Sequence, residues 1–102
     1  MDCLFCKIAK KELKSEILYE TENVVAFADI HPKKPVHLLI VPKNHVKEFI
    51  SRENYVFEEM LNLIDKIIKE KNLDKQGYRI VTNGGGYQDV DHFHIHLMGG
   101  VL

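Results

Sequence analysis

The chain is predicted to be one α+β domain: a five-stranded, mostly antiparallel sheet with one short N-terminal helix and one long helix, both packed on one face of the sheet. Three observations predict it. Short β-branched or aromatic runs alternate with turn residues at 17–20, 24–29, 37–42 and 77–82. A single long stretch, Arg52 to Lys71, repeats its apolar residues at helical spacing. Near the C-terminal end, His92-Phe-His-Ile-His-Leu97 alternates imidazole with apolar side chains, the period of a strand with two unlike faces. The strand–helix alternation of a doubly wound parallel sheet is absent.

In chain order, Phe5, Ile8 and Leu13 with intervening lysines suit a short amphipathic helix. Ile17 to Glu20 and Val24 to Asp29 are joined by Thr21-Glu-Asn23 and read as a hairpin. Prolines 32 and 35 then break regular structure, and His37 to Pro42 reads as a central strand with His37 at its start. Lys43-Asn-His45 is its polar exit. In the long helix Val56, Phe57, Met60, Leu63, Ile64, Ile67 and Ile68 form the apolar stripe, with Ser51 as N-cap and Asn72 as stop. Gly77 to Thr82 is a fourth strand, and Asn83 to Tyr87, with three consecutive glycines, is a turn into the histidine strand.

A length of 102 residues suits a single domain with a real core. With Lys+Arg 14 against Asp+Glu 15, no global basic field exists to hold a nucleic-acid polymer or an anionic membrane. The N-terminal residues lack the apolar core of a signal peptide and no stretch approaches the ~20 apolar residues of a membrane span, so a cytoplasmic protein is expected.

His92, His94 and His96 would project from one face of a strand whose other face, Phe93, Ile95 and Leu97, belongs in a core. Three unpartnered buried imidazoles would be costly. Two explanations remain beside a solvated edge strand: a metal site, or a pocket in which imidazoles handle protons and anions. Cys3-Leu-Phe-Cys6 is a thiolate pair for one metal ion or a redox couple, with two unrelated thiols as the plain alternative; by itself it is a weak zinc signal.

The alternating histidine run resembles the signature of the histidine triad family of nucleotide hydrolases and transferases. Four further blocks, Phe5-Cys-Lys-Ile8, Ala26 to Pro32, His37 to His45 and Tyr78 to Asn83, together with Gln88 to Gly100, are similar to successive blocks of its Hint branch, the purine nucleoside phosphoramidases. The resemblance implies hydrolysis of a purine nucleoside 5′-phosphoramidate at its α-phosphate through a nucleotidyl-histidine intermediate. It puts the nucleophile at His94, the phosphate and leaving-group histidine at His96, and a histidine hydrogen-bonded to the far ring nitrogen of the nucleophile at His37, with His92 completing the triad. Asp29 matches the ribose-hydroxyl acceptor; Phe5, Ile8, Leu13, Phe27 and Ile30 match the apolar purine pocket. Asn83 and Gln88 match polar contacts near the phosphate, and Asp89 and Val90 fall with them among the nucleotide-binding positions.

A zinc-bearing subset of that family has cysteines and histidines where Cys3, Cys6, His45 and His92 stand, which implies one structural zinc per chain. The resemblance also implies a homodimer in which the long helix and a strand near Tyr78 to Asn83 meet their symmetry mates. Two departures stand out. Asp89 replaces the usual serine or threonine, and the sequence ends at Gly100-Val-Leu102 without the tryptophan-bearing tail of many relatives. Dinucleoside polyphosphate hydrolysis, or a nucleotide- and zinc-binding regulatory module with vestigial chemistry, are the alternative functions.

Overall fold

A computed structural model describes residues 3–13 and 16–100; Val101 and Leu102, on which the reading of the chain end rests, lie outside them. The elements are α1 (Leu4–Ala9), β1 (Ile17–Glu20), β2 (Val24–Ala28), β3 (Val36–Pro42), α2 (Asn54–Glu70), α3 (Leu73–Gln76), β4 (Tyr78–Val81) and β5 (Ile95–Gly99). Single 3₁₀ turns occupy Phe49–Ser51 and Gly85–Tyr87. The strands form one five-stranded sheet in the order β1-β2-β3-β5-β4, every neighbouring pair antiparallel. The predicted α+β class holds.

The 21–23 turn closes the β1–β2 hairpin, with the Thr21 N–H donating to Val24 O at 2.8 Å. Glu59 of α2 locks it by accepting from the Asn23 N–H at 2.8 Å, the Asn23 side-chain amide at 2.9 Å and the Thr21 hydroxyl. These bonds hold the Glu59 carboxyl below its ordinary range, the Thr21 hydroxyl contributing most.

The helices do not share a face of the sheet. On one side Met60, Leu63, Ile64 and Ile67 of α2 pack over Val24, Ala26, Leu38 and Ile40, with Phe93, Ile95 and Leu97 completing the cluster. On the other, Phe5, Ile8 and Ala9 of α1 cover Val25, Phe27, Leu39 and Val41. The cause is legible in β2 and β3, whose Val24-Val-Ala-Phe27 and Leu38-Leu-Ile-Val41 runs are buried on both faces and require a layer on each side.

Three local readings change. Ser51 closes the 3₁₀ turn, and the N-cap of α2 is Glu53, with no side-chain cap bond. Asn72 does end α2, in the left-handed conformation at φ 56°, but the four-residue α3 follows and plugs the core with fully buried Leu73. A helix of one turn is too short to show a period. Finally, β5 starts only at Ile95, so His92 and His94 precede the strand and His96 alone of the triad is paired in the ladder, opposite Leu39 and Val81.

Candidate active site and metal cluster

At one end of the histidine run, four side chains from three parts of the chain converge. Cys3 Sγ lies 3.3 Å from His92 Nδ1, Cys6 Sγ lies 3.4 Å from the same nitrogen, and Cys6 Sγ lies 3.3 Å from His45 Nδ1. All four donor atoms fall within 4.8 Å of one another. Metal–sulfur and metal–nitrogen bonds of ~2.3 and ~2.0 Å in a tetrahedron put S and N about 3.5 Å apart, so the set fits a Cys₂His₂ ion. His92 is prepared for it: its Nε2–H donates to Pro42 O at 2.9 Å, which leaves the Nδ1 lone pair facing the sulfurs. Burial lowers the His92 pKa from 6.5 to about 4, keeping the ring in the neutral, ligating form. Burial, followed by the neighbouring Cys3, raises the Cys6 thiol pKa, a cost that a bound cation would reverse.

Two residues further on, His94 is oriented by the backbone. Its Nδ1 lies 2.7 Å from His92 O, which can only accept, so Nδ1 carries the proton and Nε2 keeps an open lone pair. Thr82 Oγ1 fixes this segment by donating to His94 O at 2.7 Å, and the Phe5 ring meets the imidazole edge-on at 5.0 Å. The expected bond between His37 and the far nitrogen of His94 is therefore not made; the His92 carbonyl fills that place.

His37 serves His96 instead. The Lys33 N–H donates to His37 Nδ1 at 3.1 Å, so the ring proton sits on Nε2, which lies 3.0 Å from His96 Nδ1 and 3.3 Å from Asp29 Oδ2. Asp29 Oδ2 is 4.0 Å from His96 Nδ1, and Asp29 Oδ1 accepts from the His31 N–H at 2.8 Å. Asp29, His37 and His96 are close enough to surround an ion. Because His37 Nε2 carries a proton, however, the three form a hydrogen-bonded network. Burial lowers the pKa of both His37 and His96, so both are neutral near pH 7 before an anion arrives.

Two adjoining cavities open on this network. The first, about 210 Å³, is lined by Phe5, Ile8, Phe27, Ile30 and Val90, and ends at Asp29, His94 and His96. The second, about 450 Å³, is lined by Lys33, His37, Arg79 and Asn83. Asp29, Asp89 and His96 border both. Most predicted site residues are thus brought together, but two are not. Leu13 lies outside both cavities, in the turn after α1, where its N–H donates to Lys7 O. Gln88 uses its side-chain amide to donate to Lys47 O at 2.9 Å and reaches neither cavity. Leu4, Ala28, His31, Leu39, Lys33 and Arg79 line the cavities without having been singled out in the sequence. Ala28, His31, Leu39 and Arg79 fell inside the family-like blocks without a role of their own, whereas Leu4 and Lys33 lay outside them.

An antiparallel sheet presenting oriented imidazoles beside an apolar cleft and a Cys/His cluster is the arrangement of a histidine triad protein. The family model described as HIT domain matches residues 10–101, and the chain belongs to that family. It is 35% identical over 104 residues to the purine nucleoside phosphoramidase of Escherichia coli, covering 97% of this chain and 87% of that protein. It is 41% identical over 106 residues to a 14 kDa zinc-binding protein of Zea mays, covering 95% and 80%. Among solved structures, a HIT family hydrolase from Clostridium thermocellum superposes with a TM-score of 0.90 at 40% identity, covering 98% of this chain and 91% of that one. No helix among the described residues is long and apolar enough to cross a membrane.

Proposed function

We propose that the protein hydrolyses the P–N bond of purine nucleoside 5′-phosphoramidates, with His94 as nucleophile. The observation that carries this is the 2.7 Å bond from His94 Nδ1 to the His92 carbonyl, which frees Nε2 at the end of a cavity suited to a flat apolar base. His94 Nε2 attacks the α-phosphorus as the bond to the amine nitrogen breaks. His96, whose acid form is favoured once an anionic phosphoryl group lies beside it, passes the Nε2 proton to the departing nitrogen. Neutral His96 then takes a proton from water, which attacks the nucleotidyl-histidine, releases the nucleoside monophosphate and restores His94. His37 is a positioning residue that orients His96, and Asp29 accepts from ribose hydroxyls.

One zinc ion on Cys3, Cys6, His45 and His92 would supply cross-linking of α1 to the sheet, and no chemical step passes through it. Turnover of a fluorogenic adenosine 5′-phosphoramidate, run beside a diadenosine polyphosphate, tests the reading: release of the amine together with AMP supports it. Tight AMP binding without turnover of either compound would instead indicate a binding module.

Asp89 borders both cavities, and its carboxylate, if turned to their junction, would lie where the phosphate binds. A like charge and a missing hydroxyl donor at this solvent-exposed position cost on the order of 1–2 kcal/mol of transition-state stabilisation. Asp89→Ser should accordingly raise kcat/KM roughly tenfold or somewhat more. A gain in both Asp89→Ser and the nearly isosteric Asp89→Asn identifies repulsion, a gain in Ser alone identifies the lost hydroxyl, and no gain in either removes Asp89 from the account.

The homodimer is proposed on the edge strand. Tyr78 and Ile80, about half exposed, lie on the α2 side of β4, whose outer edge is unpaired among the described residues. A free strand edge flanked by apolar side chains is a template for a second copy. Sedimentation at micromolar concentration should give twice the chain mass, and a monomer would contradict this interface.

A further inference from the structure

We infer that Lys33 and Arg79 form an anion subsite on the leaving-group side of His96, so that the preferred leaving group carries its own negative charge. This rests on the hydrolase reading above and narrows its substrate class. Both cations are placed by the site itself. The Lys33 backbone N–H is tied to His37 Nδ1 at 3.1 Å, and after burial, the main cause of their lowered pKa values, the Lys33 charge adds a small push in the same direction at His37 and His96. Arg79 pairs with Met98 across β4 and β5, two residues along from the Val81–His96 pair. Successive alternate residues of a strand share a face, so Arg79, His96, Met98 and His37 all project to the α1 side of the sheet. A diagonal neighbour of this kind stands about 7–8 Å away, within reach of an arginine side chain.

Among the described residues neither Lys33 nor Arg79 has a carboxylate partner, whereas Lys11 and Lys43 are both paired with Glu20. The two line the cavity of about 450 Å³ that adjoins the apolar one and shares Asp29, His31, Asp89 and His96 with it. Two carboxylates also face that space. Asp29 has one oxygen on the His31 N–H and the other on His37, and Asp89 sits at the border of the two cavities. With Asp29 engaged by the His31 N–H and by His37, an anion held a few atoms beyond the scissile bond would meet Lys33 and Arg79, beside the neutral Val81, Asn83 and Met98. A carboxylate on an amine leaving group and a further phosphate of a polyphosphate both meet that description.

The test compares adenosine 5′-phosphoramidates of propylamine and of β-alanine, which differ in the terminal carboxylate, and measures binding of ADP against AMP. Wild-type protein should favour the β-alanine compound roughly tenfold in kcat/KM and bind ADP roughly tenfold more tightly than AMP, with both ratios shrinking as salt rises. Lys33→Gln with Arg79→Gln should bring both ratios close to one, and Lys33→Arg with Arg79→Lys should largely restore them. A carboxylate preference without an ADP preference identifies an acidic amine as the leaving group, and the reverse identifies a polyphosphate. Turnover of both phosphoramidates with equal kcat/KM, and equal binding of ADP and AMP, would overturn the subsite while leaving the hydrolase reading intact. Loss of all turnover with the ADP preference still dependent on Lys33 and Arg79 would overturn the hydrolase reading and keep the subsite.

Discussion

His94→Asn should lower phosphoramidate turnover by about three orders of magnitude or more, the scale on which loss of a nucleophile acts when the rest of a site survives. The substitution suits the local structure. Asparagine keeps a side-chain amide that can donate to the His92 carbonyl, so the backbone of residues 92–94 need not move. The apolar cavity is built mainly by Phe5, Ile8, Phe27 and Val90; Phe5 alone of these meets the His94 ring edge-on, and it also packs against Phe27 in the α1-side cluster. AMP affinity and melting temperature should therefore stay close to wild type while kcat falls. Near-wild-type turnover in this variant would rule out covalent catalysis at His94.

The second large effect concerns the Cys/His cluster. Protein purified without chelator should contain one zinc per chain, and stripping it should lower Tm by on the order of 10–20 °C. Without an ion, burial leaves the Cys6 thiol and the His92 ring dependent on each other and on His45. Acid should act in the same direction. In the unfolded chain His92 binds its proton near 6.5, and in the folded chain only near about 4. The unfolded state thus takes up more protons between these values, and stability falls as pH drops from 6.5 towards 4. Elemental analysis finding no metal, or Cys3→Ser with Cys6→Ser melting at the wild-type temperature, would remove the site from the account.

What could be read from the sequence follows the range of the interaction involved. Alternation placed Phe93, Ile95 and Leu97 in the core because a period of two is a local property of the chain. The α2 stripe was equally local, and its Met60, Leu63, Ile64 and Ile67 are buried as the spacing implied. The convergence of Cys3 and Cys6 with His45 and His92 came only from resemblance, since sequence separations of up to 89 residues contain no geometric information of their own. The partner of His37 was misassigned because a backbone carbonyl, present at every residue, has no sequence signature, and here the His92 carbonyl took the nitrogen that a histidine was expected to hold. Leu13 was apolar and close to α1 but lies beyond its last turn, which ends at Ala9. Lys33 and Arg79 were illegible for a different reason: a lone cation on a turn or an edge strand reads as solvated surface until the fold brings it beside His96.

The central claim is that His94 becomes nucleotidylated, and the most direct test is to trap that species. Wild-type protein mixed with an adenosine 5′-phosphoramidate and denatured within the first turnovers should gain the mass of one AMP less water. Peptide mapping should put the adduct on the segment containing His94, and water should discharge it at a rate consistent with steady-state turnover. Turnover at the full rate with no adduct at any quench time, or an adduct on a residue other than His94, would contradict the account.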